Sequence, residues 1–256
     1  MIMNIKVLKN KNNLIGSWIQ IGSPDIILMM IEAGFDFLVL DMEHGSISDS
    51  DLPRIFQLFK GSECIPMVRV ANNDSILIRR ALDQGARGII VPGVKSKEEV
   101  EKAKKAIFYP PKGERGIGYS RVNNYGLEFD KYFKEANQNI IFIIQIEHKV
   151  AISQIDKIFS VKNIDSYMIG PYDLTGSMGI IGEFENPIYQ NSLDIIKKSA
   201  AKNNIKSGIH VVNPKVNDLK SAIKENYSLI AYSTDALLLY DKCNKELKEV
   251  NELRSI

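Results

Sequence analysis

Apolar residues in this chain gather into short continuous runs, and between the runs they recur at helical spacing. A short unbroken run of Val, Ile, Leu and Phe reads as a strand buried on both faces, and a 3.6-residue recurrence reads as an amphipathic helix. On that basis strands are predicted at Leu14–Gln20, Phe35–Leu40, Ile65–Val70, Gly88–Pro92, Ile140–Glu147, Ser166–Ile169, Ser207–Val211 and Leu229–Tyr232. Each is followed by a helical pattern, or by a long loop and then a helix.

Polar residues punctuate the pattern where helices should begin and end. Ser23-Pro24 precedes a helix over Asp25–Ala33, Asn73-Asp74 one over Ser75–Gln84, and Ser96 one over Lys97–Ala106, with Glu99 placed to complete a capping box. Gly34 and Gly85 stand where left-handed helix ends favour glycine. A last helical segment, Ala236–Leu253, is rich in Lys and Glu and suits packing on a partner subunit. The longest connection, Tyr109 to Asn139, opens with Tyr109-Pro110-Pro111-Lys112-Gly113-Glu114-Arg115-Gly116-Ile117-Gly118, too rich in Pro and Gly for regular structure. Eight βα units in 256 residues predict one α/β domain over 1–256, a (β/α)8 TIM barrel.

Composition narrows the partners. The 33 basic and 31 acidic residues nearly cancel, and the lysines are dispersed, so neither nucleic acid nor an anionic membrane is expected. No apolar run approaches the roughly 20 residues that span a bilayer, and Met1 to Asn13 lacks an apolar segment followed by a cleavage site, so a cytoplasmic location is expected. Cys64 and Cys243 fall in no CxxC or Cys/His cluster, and both read as free thiols.

Chemistry appears where the apolar runs stop. Phe35–Leu40 runs into Asp41, Glu43 and His44; Ile65–Val68 into Arg69; Ile140–Ile144 into Gln145 and Glu147; Tyr167–Ile169 into Gly170, Pro171 and Asp173. The C-terminal strand ends of a parallel barrel open on one face, where active sites are built. Gln145 and Glu147 share a side of their strand because side chains alternate. Glu147 and Asp173, without nearby Cys, suit a hard divalent cation, or are ordinary strand-end acids. Asp41 is spaced to orient His44 as a general base, against the alternative of a loop histidine bonded to backbone. Arg69 suits an anion or a developing oxyanion, and equally a bridge to Asp41. His148 and His210 read as structural, with His210 also placed to line the mouth, and Asp83 reads as a helix-end acid.

These segments resemble the HpcH/HpaI aldolase family of class II pyruvate aldolases. The matching stretches are Gly22-Ser23-Pro24, Asp41-Met42-Glu43-His44-Gly45, Val68-Arg69-Val70 with Asn73-Asp74, Leu82-Asp83-Gln84-Gly85-Ala86, Val91-Pro92, the Tyr109–Gly118 loop, Gln145-Ile146-Glu147, and Ile169 to Leu174 with Ser177-Met178-Gly179. The resemblance implies a barrel assembled as a hexamer, a trimer of dimers exchanging the last helix, which cleaves 4-hydroxy-2-oxo acids to pyruvate and an aldehyde. It implies Mg²⁺, Mn²⁺ or Co²⁺ held by Glu147 and Asp173, with Gln145 beside it and Glu43 behind. It further implies that Gly170, Pro171, Tyr172 and Asp173 bind the pyruvyl group, Arg69 the C2 oxygen, and His44, polarised by Asp41, the C4 hydroxyl proton. Trp18, Val211 and a neighbouring subunit's copy of Asp83 would contact the rest of the substrate. Tyr172 departs from the Ala that many members carry, which leaves the aldehyde open.

Three rivals remain at this level: a Schiff-base aldolase using Lys95, an acyl-CoA lyase on a similar barrel, and a sugar-acid-binding barrel without turnover.

Overall fold

All eight apolar runs form strands, and every neighbouring pair is parallel. The computed structural model describes residues 13–254. In it β1 (Leu14–Ile19), β2 (Phe37–Asp41), β3 (Ile65–Arg69), β4 (Gly88–Val91), β5 (Ile141–Ile146), β6 (Ser166–Ile169), β7 (Gly208–Val211) and β8 (Leu229–Thr234) follow in chain order, and β8 pairs back onto β1 to close a barrel. The expected (β/α)8 architecture is the one observed. Residues 1–12 and 255–256, to which the expected domain extent and the reading of the first residues also applied, lie outside the described residues.

The helices are α1 (Pro24–Glu32), α2 (Leu52–Leu58), α3 (Ser75–Gln84), α4 (Lys97–Ile107), α5 (Phe129–Ala136), α6 (Lys149–Ser153), α7 (Ile155–Phe159), α8 (Pro171–Met178), α9 (Pro187–Lys202), α10 (Val216–Lys224) and α11 (Asp235–Arg254). The polar punctuation acts as read. Ser96 and Glu99 form a reciprocal capping box on α4, and the Asp74 carboxylate accepts the N–H groups of Ile76 and Leu77 on α3. The long connection is irregular through its Pro/Gly-rich start, then forms a 3₁₀ turn at Arg121–Gly126 and α5. Tyr132 and Ala136 of α5 pack on Tyr109, an anchor that the loop composition concealed.

Strand alternation divides the core in two. Leu14, Phe37, Val39, Ile65, Met67, Ile90, Ile143, Met168 and Ala231 fill the barrel interior. Leu38, Leu40, Val68, Ile89, Val91, Phe142 and Ile144 face outward onto the helices. Each such side chain contributes roughly 1.5–3 kcal/mol by leaving water. A one-residue register slip would invert both sets, so the same burial that builds the core fixes which strand-end residue points into the mouth. Cys64 is buried, Cys243 is exposed, and both are free. No described helix is long and apolar enough to cross a membrane.

Candidate active site

The inward-facing series of the odd strands ends in polar residues: Arg69 on β3, Gln145 on β5 and His210 on β7, with Trp18 the last inward residue of β1. Asp41, at the end of β2, is the register partner of Arg69. Arg69 Nε donates to Asp41 Oδ1 at 2.9 Å and Nη2 to Oδ2 at 2.6 Å, while Nη1 lies 2.9 Å from Glu43 Oε2. Beneath it, the Trp18 ring sits 4.4 Å from the guanidinium carbon and 5.3 Å from the His210 ring. This is a bidentate clamp on a cation–π floor, and it holds one planar group in a single orientation.

Charge in the clamp is balanced locally. Burial works to raise the Asp41 pKa, but the hydrogen bonds and charge of Arg69, with the N–H groups of His44 and Glu43, outweigh it and hold the carboxyl below its usual value. Burial, reinforced by the Arg69 charge, pushes His210 down to about 3 and keeps its imidazole neutral.

Asp41 meets His44 through the main chain. Its Oδ1 accepts the backbone N–H groups of Glu43 and His44 at 3.1 and 3.2 Å. The expected carboxylate–imidazole contact is therefore replaced, because both Asp41 oxygens already serve Arg69. Glu43, beside His44 in the same loop, has its pKa raised, chiefly by burial.

Glu147 stands just beyond β5, held at both oxygens. Gly93 N–H donates to Oε1 at 2.5 Å, and Gln145 Nε2 donates to Oε2. Gly93 presents that N–H from a left-handed backbone, φ +66°, which side-chain-bearing residues resist. Gly170 is required by space, since an added Cβ would lie 2.9 Å from Glu147 Oε2 and 3.0 Å from Gln145 Nε2. Burial, with the nearby charges of Glu43 and Asp173, pushes the Glu147 pKa up to about 7. Asp173 occupies the first turn of α8, where Leu174 N–H makes the bond to Gly170 O. The N–H groups of Tyr172 and Asp173 precede that bond and belong to the helix's unpaired first turn.

The donor set fits a hard cation. Glu147 and Asp173 are close enough to repel, and Gln145 Oε1 is buried beside them with no hydrogen-bond partner, a lone carbonyl oxygen that an ion or its water would satisfy. Among the described residues no three His, Cys, Asp or Glu side chains form a ready-made cage. Two carboxylates leave the remaining positions to water and substrate oxygens, as Mg²⁺ sites do.

These groups open on a cleft of about 520 Å³ lined by Glu43, His44, Gly93, Lys95, Glu147, His148, Tyr172, Asp173 and Ile181, among others. A larger cavity, about 660 Å³, lies at the opposite end of the barrel around Cys64 and Arg87, remote from these groups.

Other expected site residues fall elsewhere. Val211, expected to contact substrate, packs against Ala222, Tyr227 and Ile230, and its neighbour His210 takes the inward position. Asp83, on α3, pairs with Arg115 at 2.5 Å outside its own barrel mouth. Trp18 is buried under Arg69 and meets it instead of lining the open cleft. His148 caps α6 through Nδ1, and Lys95 is solvent-exposed. Gly93 went unnoticed in the sequence, although it follows the β4 run as the other site residues follow theirs.

A protein-family model described as HpcH/HpaI aldolase/citrate lyase matches residues 14–241. The chain is 33% identical over 243 residues to the 2-dehydro-3,6-dideoxy-6-sulfogluconate aldolase of Pseudomonas putida, covering 94% of each chain. It is 34% identical over 230 residues to a 5-keto-4-deoxy-D-glucarate aldolase of Escherichia coli O139:H28, covering 89% of this chain and 88% of that one. Among solved structures it is similar to an HpcH/HpaI aldolase from Desulfitobacterium hafniense DCB-2, with TM-score 0.91, 28% identity and coverage of 98% and 97%. It is also similar to the citrate synthase SbnG, with TM-score 0.87, 26% identity and coverage of 99% and 100%.

Proposed function

The chain belongs to the HpcH/HpaI aldolase/citrate lyase family, and from that premise we propose that it is a divalent-metal-dependent aldolase, reversibly cleaving a 4-hydroxy-2-oxo acid to pyruvate and an aldehyde. The observation that carries this reading is the opposition, across one barrel mouth, of the Glu147–Asp173 carboxylates with their unpartnered Gln145 oxygen and the clamped Arg69 guanidinium. Glu147 and Asp173 would hold Mg²⁺, Mn²⁺ or Co²⁺. When bound, that ion supplies Lewis acidity toward the substrate ketone and a template for its oxygens.

The chain's own residues do the remaining work. The N–H groups of Tyr172 and Asp173, after Gly170 and Pro171, bind the pyruvyl carboxylate at the α8 N-terminus. Arg69, fixed by Asp41 and Glu43, donates to the C2 oxygen as negative charge gathers there during C3–C4 cleavage, with no reorganisation needed at that moment. His44 takes the proton from the C4 hydroxyl, directly or through a water, and its loop is positioned by the Asp41 carboxylate through the main chain. In the reverse direction His44 returns that proton.

The rivals fit less well. Lys95, the one lysine among the described residues that line the cleft, is exposed, whereas a Schiff-base lysine is activated by desolvation. A cleft of about 520 Å³ takes a sugar-acid-sized molecule, and a binding protein has no need of the His44 and Arg69 arrangement. The Pseudomonas putida and Escherichia coli relatives act, by their names, on sugar acids. We further propose a cytoplasmic homo-oligomer, a hexamer in which Asp83 faces a neighbour's site.

The test is a lactate dehydrogenase-coupled screen for pyruvate release across 4-hydroxy-2-oxo acids, with and without each metal. Release that EDTA abolishes and Mg²⁺, Mn²⁺ or Co²⁺ restores is expected. EDTA-resistant release with borohydride trapping of pyruvate on the protein would replace this reading with the lysine mechanism.

A further inference from the structure

The larger cavity, about 660 Å³, lies at the barrel end opposite the active site and has the size of a small-molecule pocket. Its walls mix two kinds of residue. Phe56 of α2 and Phe59 just after it, with Val122 of the 3₁₀ turn, give it apolar surface. Lys60, Arg87 and Arg121 bring three positive charges against one carboxylate among the described lining residues, Glu63, which stands exposed on the turn before β3.

Arg87 is the informative member. Its main chain is pinned at the start of β4, where its N–H donates to Pro66 O at 2.8 Å and its O accepts the Ile141 N–H at 2.9 Å, so the residue is wedged between β3 and β5. Its side chain is largely buried, and burial pushes its pKa below the usual value. The guanidinium nevertheless makes no hydrogen bond or ion pair with any described residue, and the group that acts on it electrostatically is the Tyr132 phenol, not a carboxylate. The buried Arg69 and Arg115 differ, since each is paired with an aspartate. A guanidinium taken out of water without an anion costs stability, and a ligand that supplies the anion recovers it. Beside it Arg121 commits Nη1 to Pro53 O and keeps Nε and Nη2 for another acceptor.

We propose that this cavity is a second binding site, for a small organic anion whose carboxylate or phosphate head pairs with Arg87, assisted by Arg121 and Lys60, and whose apolar body rests on Phe56, Phe59 and Val122. Both head groups match the planar fork of a guanidinium. The site is separate from the metal and pyruvate end and does not depend on that reading.

The experiment is calorimetric titration of the metal-free protein with octanoate, phenyl phosphate, inorganic phosphate and benzyl alcohol, in wild type, Arg87→Met, Lys60→Glu and Arg69→Met. Octanoate, phenyl phosphate or both should bind wild type with a Kd of about 1 mM or tighter, the range of one charge-assisted contact with apolar support. Which of the two binds better tells which head group the site takes. Inorganic phosphate, without an apolar body, and benzyl alcohol, without a charge, should both bind more weakly. Arg87→Met should weaken the organic anion about tenfold or more, and its ligand-free melting temperature should equal or exceed that of wild type, because it removes an unpaired buried charge. Lys60 is exposed, so Lys60→Glu leaves the fold alone and should weaken binding about threefold through charge at the rim. Arg69→Met should bind as wild type does, which separates this site from the barrel mouth. Failure of both organic anions to bind wild type overturns the proposal. So does binding that Arg87→Met and Lys60→Glu leave unchanged, binding lost in Arg69→Met, or equal affinity for benzyl alcohol.

Discussion

Removing the Asp41 carboxylate should be costly far beyond the loss of one surface acid. Asp41 is fully buried, Arg69 is 7% exposed, and the pair is joined by two hydrogen bonds of 2.9 and 2.6 Å. Breaking a buried pair by deleting one partner costs about 3–5 kcal/mol, because the survivor keeps an uncompensated charge. Glu43, 2.9 Å from Nη1, remains for Arg69, which places Asp41→Ala near the lower end, about 3 kcal/mol. For a chain of this size that corresponds to a melting-temperature fall of roughly 6–12 °C. Thermal unfolding of Asp41→Ala, Arg69→Met and the double variant checks the argument. The double variant should be less destabilised than the sum of the singles, since it leaves neither Asp41 nor Arg69 facing the other's empty place, while the loss of Glu43's partner is common to Arg69→Met and the double variant. The sign of the pH dependence also follows. The folded-state pKa of Asp41 lies below its ordinary 3.8, so its contribution is complete above that value and disappears as pH falls through the folded one. An Asp41→Ala protein melting within about 2 °C of wild type, or strictly additive singles, would refute the reasoning built on the usual cost of a stranded charge.

Further outcomes follow from the same geometry. His44→Ala should lower aldol cleavage at least about 100-fold, the usual scale of general-base effects, with metal affinity retained in a titration; wild-type turnover would remove His44 from the mechanism. Gly170→Ala should weaken metal affinity about tenfold by crowding Glu147 and Gln145, without a comparable loss of melting temperature, and calorimetric titration reads both sides of that claim. Glu147 ionises near 7 in the folded chain against an ordinary 4.5, so the metal-free fold should lose stability as pH rises between those values. Metal binding, which needs the carboxylate, should tighten over the same window; affinity flat from pH 5 to 8 would contradict the assignment of Glu147 as a ligand.

The barrel was legible because strands buried on both faces leave unbroken apolar runs, and eight such runs stand out against helical spacing. The helix α5 was hidden by the Pro/Gly-rich segment before it, and only its packing on Tyr109 explains it. At the site, the residues that end apolar runs could be found one by one. Their pairings could not, because pairing depends on register across strands: Asp41 lies opposite Arg69 on β3, so it engages the guanidinium in place of the His44 imidazole. Val211 and His210 show a related dependence, since a strand end tells where the mouth is but only the period-two phase tells that His210 takes the inward position. Backbone contributions were the least visible. The Gly93 N–H that holds Glu147 has no side chain to announce it, and the space that Gly170 leaves is a property of β5 and β6 together.

The central claim is that Glu147 and Asp173 hold a metal on which Arg69 and pyruvate converge, and deuteration of the pyruvate methyl group in D₂O, followed by proton NMR, tests it most directly. Exchange should require Mg²⁺, Mn²⁺ or Co²⁺, stop with EDTA, and be lost in Glu147→Gln and in Arg69→Met. Exchange that persists in EDTA, or that survives in Glu147→Gln, would contradict it.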